Sequence, residues 1–146
     1  MKTLHFSIEI KAPRERVWKT LWEDATYRQW TSVFNESSYA VSDWEEGSKI
    51  QFLSADGSGM YSLIDKKTLN KQMTFRHLGI VKDGIEQPAD EKTGEWKDAL
   101  ESYFLTENNG VTELKAELNT IEAYEQYFRD TFPKALEKVK HLVEHS

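Results

Sequence analysis

The 146 residues match the usual size of one domain, enough to bury roughly 68–70% of the surface an unfolded chain exposes. Acidic residues outnumber basic ones, 25 to 19, and the net charge of −6 argues against nucleic acid and anionic membranes, whose binders need a basic patch. No run approaches the ~20 apolar residues of a bilayer span, the first residues lack a basic-then-apolar signal pattern, and cysteine is absent.

These absences give the expectation of a cytoplasmic protein without disulfides, thiolate nucleophile or thiolate metal site. The sequon Asn35-Glu36-Ser37 is then a chance match. Hydrophobic residues make up only 38% of the chain, yet aromatics alone supply 12%, so the interior is built from few, large side chains. Composition does not decide whether such a core is solid or leaves a space.

Leu4–Lys11 alternates apolar and polar residues, which predicts a half-buried strand with Leu4, Phe6, Ile8 and Ile10 inward. Pro13 suits a first helical position, Glu15 suits the positive end of a helix dipole, and Val17, Trp18, Leu21 and Trp22 recur at helical spacing. A helix over Pro13–Trp22 follows, with a second, short one over Asp24–Trp30.

Short strands come next, over Tyr39–Trp44, Ser48–Ser54, Met60–Thr68 and Met73–Gly79, separated by Gly- and Asn-containing turns. The polar stretch Ile80–Trp96 is predicted as a long loop bordering a pocket mouth or simply solvated. Lys97–Thr106 and Val111–Leu118 are joined through Asn109-Gly110, the strongest hairpin signal present. The tail Ile121–Glu144 carries an apolar stripe through Tyr124, Phe128, Phe132, Leu136 and Val139, and Pro133 predicts a kink or break in that helix.

The order is strand, two short helices, six strands and a long helix within one domain over residues 1–146. Short turns make the sheet antiparallel, and its apolar face needs a cover. The architecture expected is α+β, a curved antiparallel sheet of about seven strands wrapped around the C-terminal helix.

The run Ala12-Pro13-x-x-x-Val17-Trp18-x-x-Leu21, with Trp30 beyond it, resembles the opening of the START-like (SRPBCC) superfamily. Within it, the chain is similar to bacterial relatives of the activator of heat-shock-protein-90 ATPase. Trp44-x-Glu46-Gly47-Ser48, Gly59-Met60-Tyr61-Ser62-x-Ile64, His77-Leu78-Gly79 and Asp83-Gly84 resemble that family's middle. Glu101-x-Tyr103-x-Leu105 with Thr112-x-Leu114 resembles its late hairpin, and Phe132-Pro133-x-Ala135-Leu136-x-x-Val139-Lys140 its final helix. The resemblance implies the helix-grip fold, which commonly encloses a cavity between sheet and terminal helix. It does not imply one function, since relatives include lipid and hormone binders, polyketide cyclases and co-chaperone domains.

The leading expectation is a cavity holding a small, largely apolar or amphipathic molecule. Trp30, Phe34, Met60, Ile64 and Phe75 are candidate liners, with Tyr124 and Phe128 from the terminal helix. His77, Glu101 and Tyr103 are candidates for the polar groups that orient a ligand. For any one of these residues, ordinary core packing is the simpler reading. A one-residue slip in strand phase would turn His77 or Tyr103 outward.

Catalysis is a weaker reading. His77 and Glu101 would form an acid–base pair only if both faced one substrate within ~3 Å. His5 falls on an outward face, and His141 and His145 read as surface groups complementing a helix C-terminus. Gly57-Ser58-Gly59 is a turn without the Gly-Lys-Ser/Thr of a phosphate loop, and the pairs Glu45-Glu46 and Asp90-Glu91 are solvated. No catalytic set, metal or cofactor is expected, and the reading leans away from an enzyme. A cyclase- or hydrolase-like enzyme and a chaperone-interaction domain are the alternatives. In the family, chaperone activation belongs to multidomain members with a separate binding region.

Overall fold

The computed structural model describes residues 1–146 apart from the Lys92 side chain. The chain opens with β1 (Lys2–Ile10), whose alternating burial fits its period-two sequence. Pro13 then lies extended as the cap of α1 (Arg14–Trp22), which buries Val17, Trp18, Leu21 and Trp22. α2 (Asp24–Trp30) follows at once and buries Tyr27 and Trp30, ending in a single 3-10 turn over Thr31–Val33.

The sheet is built from β2 (Tyr39–Val41), β3 (Lys49–Leu53), β4 (Gly59–Thr68), β5 (Gln72–Lys82), β6 (Ile85–Glu86), β7 (Leu100–Asn108) and β8 (Val111–Thr120). Strands run in the order β1-β8-β7-β5-β4-β3-β2, every pair antiparallel, with β6 paired to β5. This curved sheet closes over α4 (Glu122–Glu144), which packs on β1, α1 and α2. The helix-grip architecture read from the sequence is the one observed.

The register fixes which side chains face α4. Leu118 pairs with Glu101, Ala116 with Tyr103 and Leu114 with Leu105, so these share the inner face. Phe75 opposes Glu101, and Ser62 opposes His77. A bulge at Leu78 then adds one residue to β5, and Met60 comes to oppose Ile80. An inserted residue reverses the side-chain phase, so Ile80 turns inward although His77 also does.

Three expectations are corrected. The terminal helix does not break at Pro133: it is continuous over Glu122–Glu144. Pro133 lies on the exposed side, where loss of one N–H leaves its acceptor open to water, and Phe132, Ala135 and Leu136 on the other side are packed. The sheet has eight strands, because β5 continues to Lys82 and folds back as β6. The stretch predicted as a loop also holds α3 (Glu91–Trp96), started by Asp90, whose Oδ1 accepts the Thr93 backbone N–H at 2.8 Å.

One close approach holds the β3–β4 hairpin. A Cβ on Gly59 would stand 1.9 Å from the Phe52 carbonyl oxygen, whereas one on Gly94 would meet nothing within 4 Å. Gly59→Ala is therefore expected to cost about 1–3 kcal/mol or more. Gly94→Ala, at an ordinary helical position, should be neutral or gain about 0.4–1 kcal/mol. Urea unfolding of the two variants beside the parent protein measures both; equal stability of all three would contradict the register described.

Candidate functional site

A cavity of about 500 Å³ lies between the inner face of the sheet and the first turns of α4. Every layer contributes to its wall, because the curved sheet and the helices converge there. Trp22 comes from α1, Tyr27 and Trp30 from α2, and Phe34 from the segment beyond. Met60, Phe75, His77, Glu101 and Tyr103 project from the sheet, and Tyr124 and Phe128 from α4. The sequence-derived candidates thus meet at one place, with Ile64 the exception. Ile64 is completely buried in the core and does not border the cavity.

The mouth is marked by exposure. Tyr124 and Tyr127 are 50% and 46% exposed and Ile80 39%, while Phe132, one turn further along α4, is 2% exposed. Phe132 stacks on Phe6 with centroids 5.2 Å apart and meets Phe34 edge-on at 5.1 Å. It closes one end of the space. Trp22 lies under the opposite side, with Tyr103 and Phe75 edge-on to it at 5.2 and 5.5 Å. Its Nε1 is buried without a hydrogen-bond partner and is not presented to the cavity.

One polar chain interrupts this apolar wall. Ser62 Oγ lies 2.7 Å from His77 Nδ1, His77 Nε2 lies 3.1 Å from Glu101 Oε1, and the Tyr103 hydroxyl donates to Glu101 Oε2. Ser62 is wholly buried, and among the described residues His77 is its only side-chain partner, so the arrangement that satisfies every atom has Ser62 O–H donating to Nδ1. Nε2–H then donates to the carboxylate. The residues come from β4, β5 and β7, and cross-strand pairing aligns Ser62 with His77.

Burial alone would push the Glu101 carboxyl up. The hydrogen bond from His77, the positive charge of that ring when protonated, and the Tyr103 hydroxyl outweigh it and hold the carboxyl below the ordinary glutamate value. Burial pushes the Tyr103 phenol well up, and the neighbouring Glu101 charge adds to it. Tyr27 is shifted upward for the same two reasons. Glu101 is the ionised group of the pocket, and the phenols stay protonated.

Ser62, His77 and Glu101 stand in the order of a nucleophilic triad. Ser62, however, is buried and absent from the cavity wall, which His77, Glu101 and Tyr103 border. A substrate in the pocket would meet the carboxylate and not the hydroxyl. Among the described residues there is no cluster of three or more His, Asp or Glu arranged to hold a metal. His5 lies on the exposed face beside Glu117 at 3.4 Å, and the His141 and His145 rings meet at a tilt with centroids 4.5 Å apart; none of the three borders the cavity.

Sequence reasoning passed over Ser62, although it alternates with Met60 and Ile64 and therefore shares their face. Trp22, which the helical spacing places on α1, and Tyr27, which carries no sequence signal of its own, are both buried and also border the space. Ile80 and Trp96 had no usable signal, since a bulge and a short helix inside the polar stretch set their positions.

Sheet and terminal helix together define a helix-grip fold with a pocket between them. No protein-family model and no curated protein sequence matches the chain. Among solved structures it is similar to MLL2253 from Mesorhizobium loti, with a TM-score of 0.78 at 14% identity over 99% of this chain and 98% of that one. The Aha1 dimer from Colwellia psychrerythraea gives a TM-score of 0.74 at 18% identity, covering 99% and 97% of the two chains. DynU16, a protein of the dynemicin biosynthetic locus, gives 0.72 at 11% identity, with 99% of this chain matching 48% of that one. At such identities the likeness establishes the shared fold. Among the described residues no helix is long and apolar enough to cross a membrane.

Because Glu101 titrates below its ordinary value in the folded protein, its ionisation stabilises the fold. That contribution is complete above the ordinary carboxylate range and is lost as the pH falls through the folded value. Glu101→Gln turns an amide N–H toward one of the two donors and leaves a buried group unpaired, which should cost about 1–3 kcal/mol at neutral pH. In acid, protonated Glu101 suffers the same mismatch, so the gap between the two proteins should close. Urea unfolding at neutral and acidic pH measures it; a pH-independent gap would remove the ionised carboxylate from the account.

Proposed function

We propose that the protein acts as a single cytoplasmic domain that binds one small, largely apolar molecule in the cavity between sheet and α4. The observation that carries this reading is the cavity itself. Its volume, about 500 Å³, lies within the roughly 300–1,000 Å³ of small-molecule sites. Its wall is predominantly aromatic, with one polar centre at Glu101, His77 and Tyr103 to fix orientation.

Close-packed interiors seldom leave an apolar space larger than a few waters. A space of this size with an exposed aromatic rim therefore fits uptake of a ligand better than incomplete packing. The buried position of Ser62 weighs against a hydrolase using the same pocket. The likeness to the Aha1 dimer is one of fold, so chaperone interaction has less support than the pocket has.

A neutral naphthalene fluorophore such as prodan is expected to bind saturably, one per chain, and to raise the melting temperature. Met60→Trp fills the space from the sheet side and should weaken binding at least about tenfold, or 1.4 kcal/mol, while the chain stays folded. No saturable binding across a panel of comparable apolar molecules, or binding indifferent to Met60→Trp, would refute the proposal.

A further inference from the structure

Among the described residues that line the cavity there is neither lysine nor arginine, and Glu101 is the only carboxylate. Each Glu101 oxygen takes one protein donor, His77 on Oε1 and the Tyr103 hydroxyl on Oε2. A carboxylate has about four lone-pair directions, so roughly two stay unused. The Glu101 side chain keeps 26% of its surface accessible, at a position that borders the cavity.

Several of the wall's other polar side chains are already engaged. Thr31 donates to the Tyr27 carbonyl at 2.6 Å and Thr120 to the Ile121 carbonyl at 3.2 Å. The Asn119 amide donates to Thr3 at 3.0 Å. His77 is engaged at both ring nitrogens, Nδ1 with Ser62 and Nε2 with Glu101, and so offers the cavity no further donor. An ionised carboxylate in an aromatic cavity without lysine or arginine is costly, and a cationic partner lowers that cost.

We infer that the pocket's ligand is an apolar primary amine in its protonated form, its ammonium seated on Glu101 and its hydrocarbon or aryl body lying against Phe128 and Leu118. This rests on the pocket being a binding site. An ammonium brings three donors and a positive charge, and the rings of Tyr27, Trp30 and Phe52 in the same wall favour a cation further. An alcohol supplies a donor and no charge. A carboxylic or phosphate amphiphile would set a second negative charge beside Glu101 in a water-poor space and is rejected. The chain's net charge of −6 also attracts cations and repels anions on approach.

Phenylbutylamine, phenylbutanol and phenylbutanoate share one body and differ in the head group, which isolates the effect. Calorimetric titration of the parent protein at neutral pH should rank the amine at least about tenfold tighter than the alcohol, with the carboxylate weakest. Glu101→Gln should erase the preference by weakening the amine while leaving the alcohol within about threefold. Alcohol binding equal to or tighter than amine binding, or an amine preference that survives in Glu101→Gln, overturns the inference and leaves the pocket reading standing. If none of the three binds and prodan fails as well, the pocket reading falls and takes the inference with it. The head-group ranking in the parent protein decides the matter even if Glu101→Gln does not fold.

Discussion

A single helix must cover the concave apolar face of a strongly curved sheet, and the rest of the structure follows from how incompletely it can do so. α4 has 23 residues, a rod roughly 34 Å long at 1.5 Å per residue, and one apolar stripe. Its C-terminal half spends that stripe on the core: Phe132, Ala135, Leu136, Val139 and Val143 are all buried. Its first half stands off, with Tyr124 and Tyr127 about half exposed and Phe128 only partly covered. The cavity is the space under that first half. The sheet's curvature keeps α4 from sealing both ends at once.

The composition of the interior makes the same gap harder to fill. Trp22 is surrounded by Trp18, Trp30, Trp44, Phe75 and Tyr103 at centroid distances of 5.2 to 6.3 Å, mostly edge to face. Rings in such contacts lock one another's orientation. They bury much area with few residues, but a rigid ring cannot flow into a neighbouring void as a leucine or methionine can. The aromatic cluster therefore serves as a stiff floor on one side, and α4 as a partial roof on the other.

Much of this was legible in the sequence, and the failures have physical reasons. β1, β8 and the last hairpin show clean period-two patterns, and Asn109-Gly110 has the left-handed φ values, 54° and 79°, that such a turn demands. Asp83-Gly84 adopts the same geometry, 53° and 77°, and closes β5 onto β6. It was read as loop because the strand after it is only Ile85–Glu86, too short to show alternation. Pro133 misled in the opposite direction. Local propensity predicts a kink or break, but the helix runs on unbroken, with Thr131 and Phe132 packed before the residue and Ala135 and Leu136 after it. The change in packing comes before Phe132, where Tyr124 and Tyr127 stand exposed. Of the site, the aromatic liners could be named from spacing, whereas the strand phase that turns His77 and Tyr103 inward needed the register.

The hydrogen-bonded chain in the wall has a direction, and the direction argues its role. In a nucleophilic triad the carboxylate is buried behind the imidazole and the hydroxyl faces the substrate. Here the hydroxyl of Ser62 is buried behind His77, and the carboxylate of Glu101 faces the space. Such an order cannot activate Ser62 against anything in the pocket. It does hold an ionised carboxylate in place, with one donor on each oxygen and the imidazole ring itself fixed from behind. Replacing a buried polar set by apolar residues of like volume is commonly neutral or stabilising, so folding alone does not call for this one. Its physical consequence is a fixed negative charge at the wall of an otherwise aromatic cavity, with acceptor capacity directed at whatever enters.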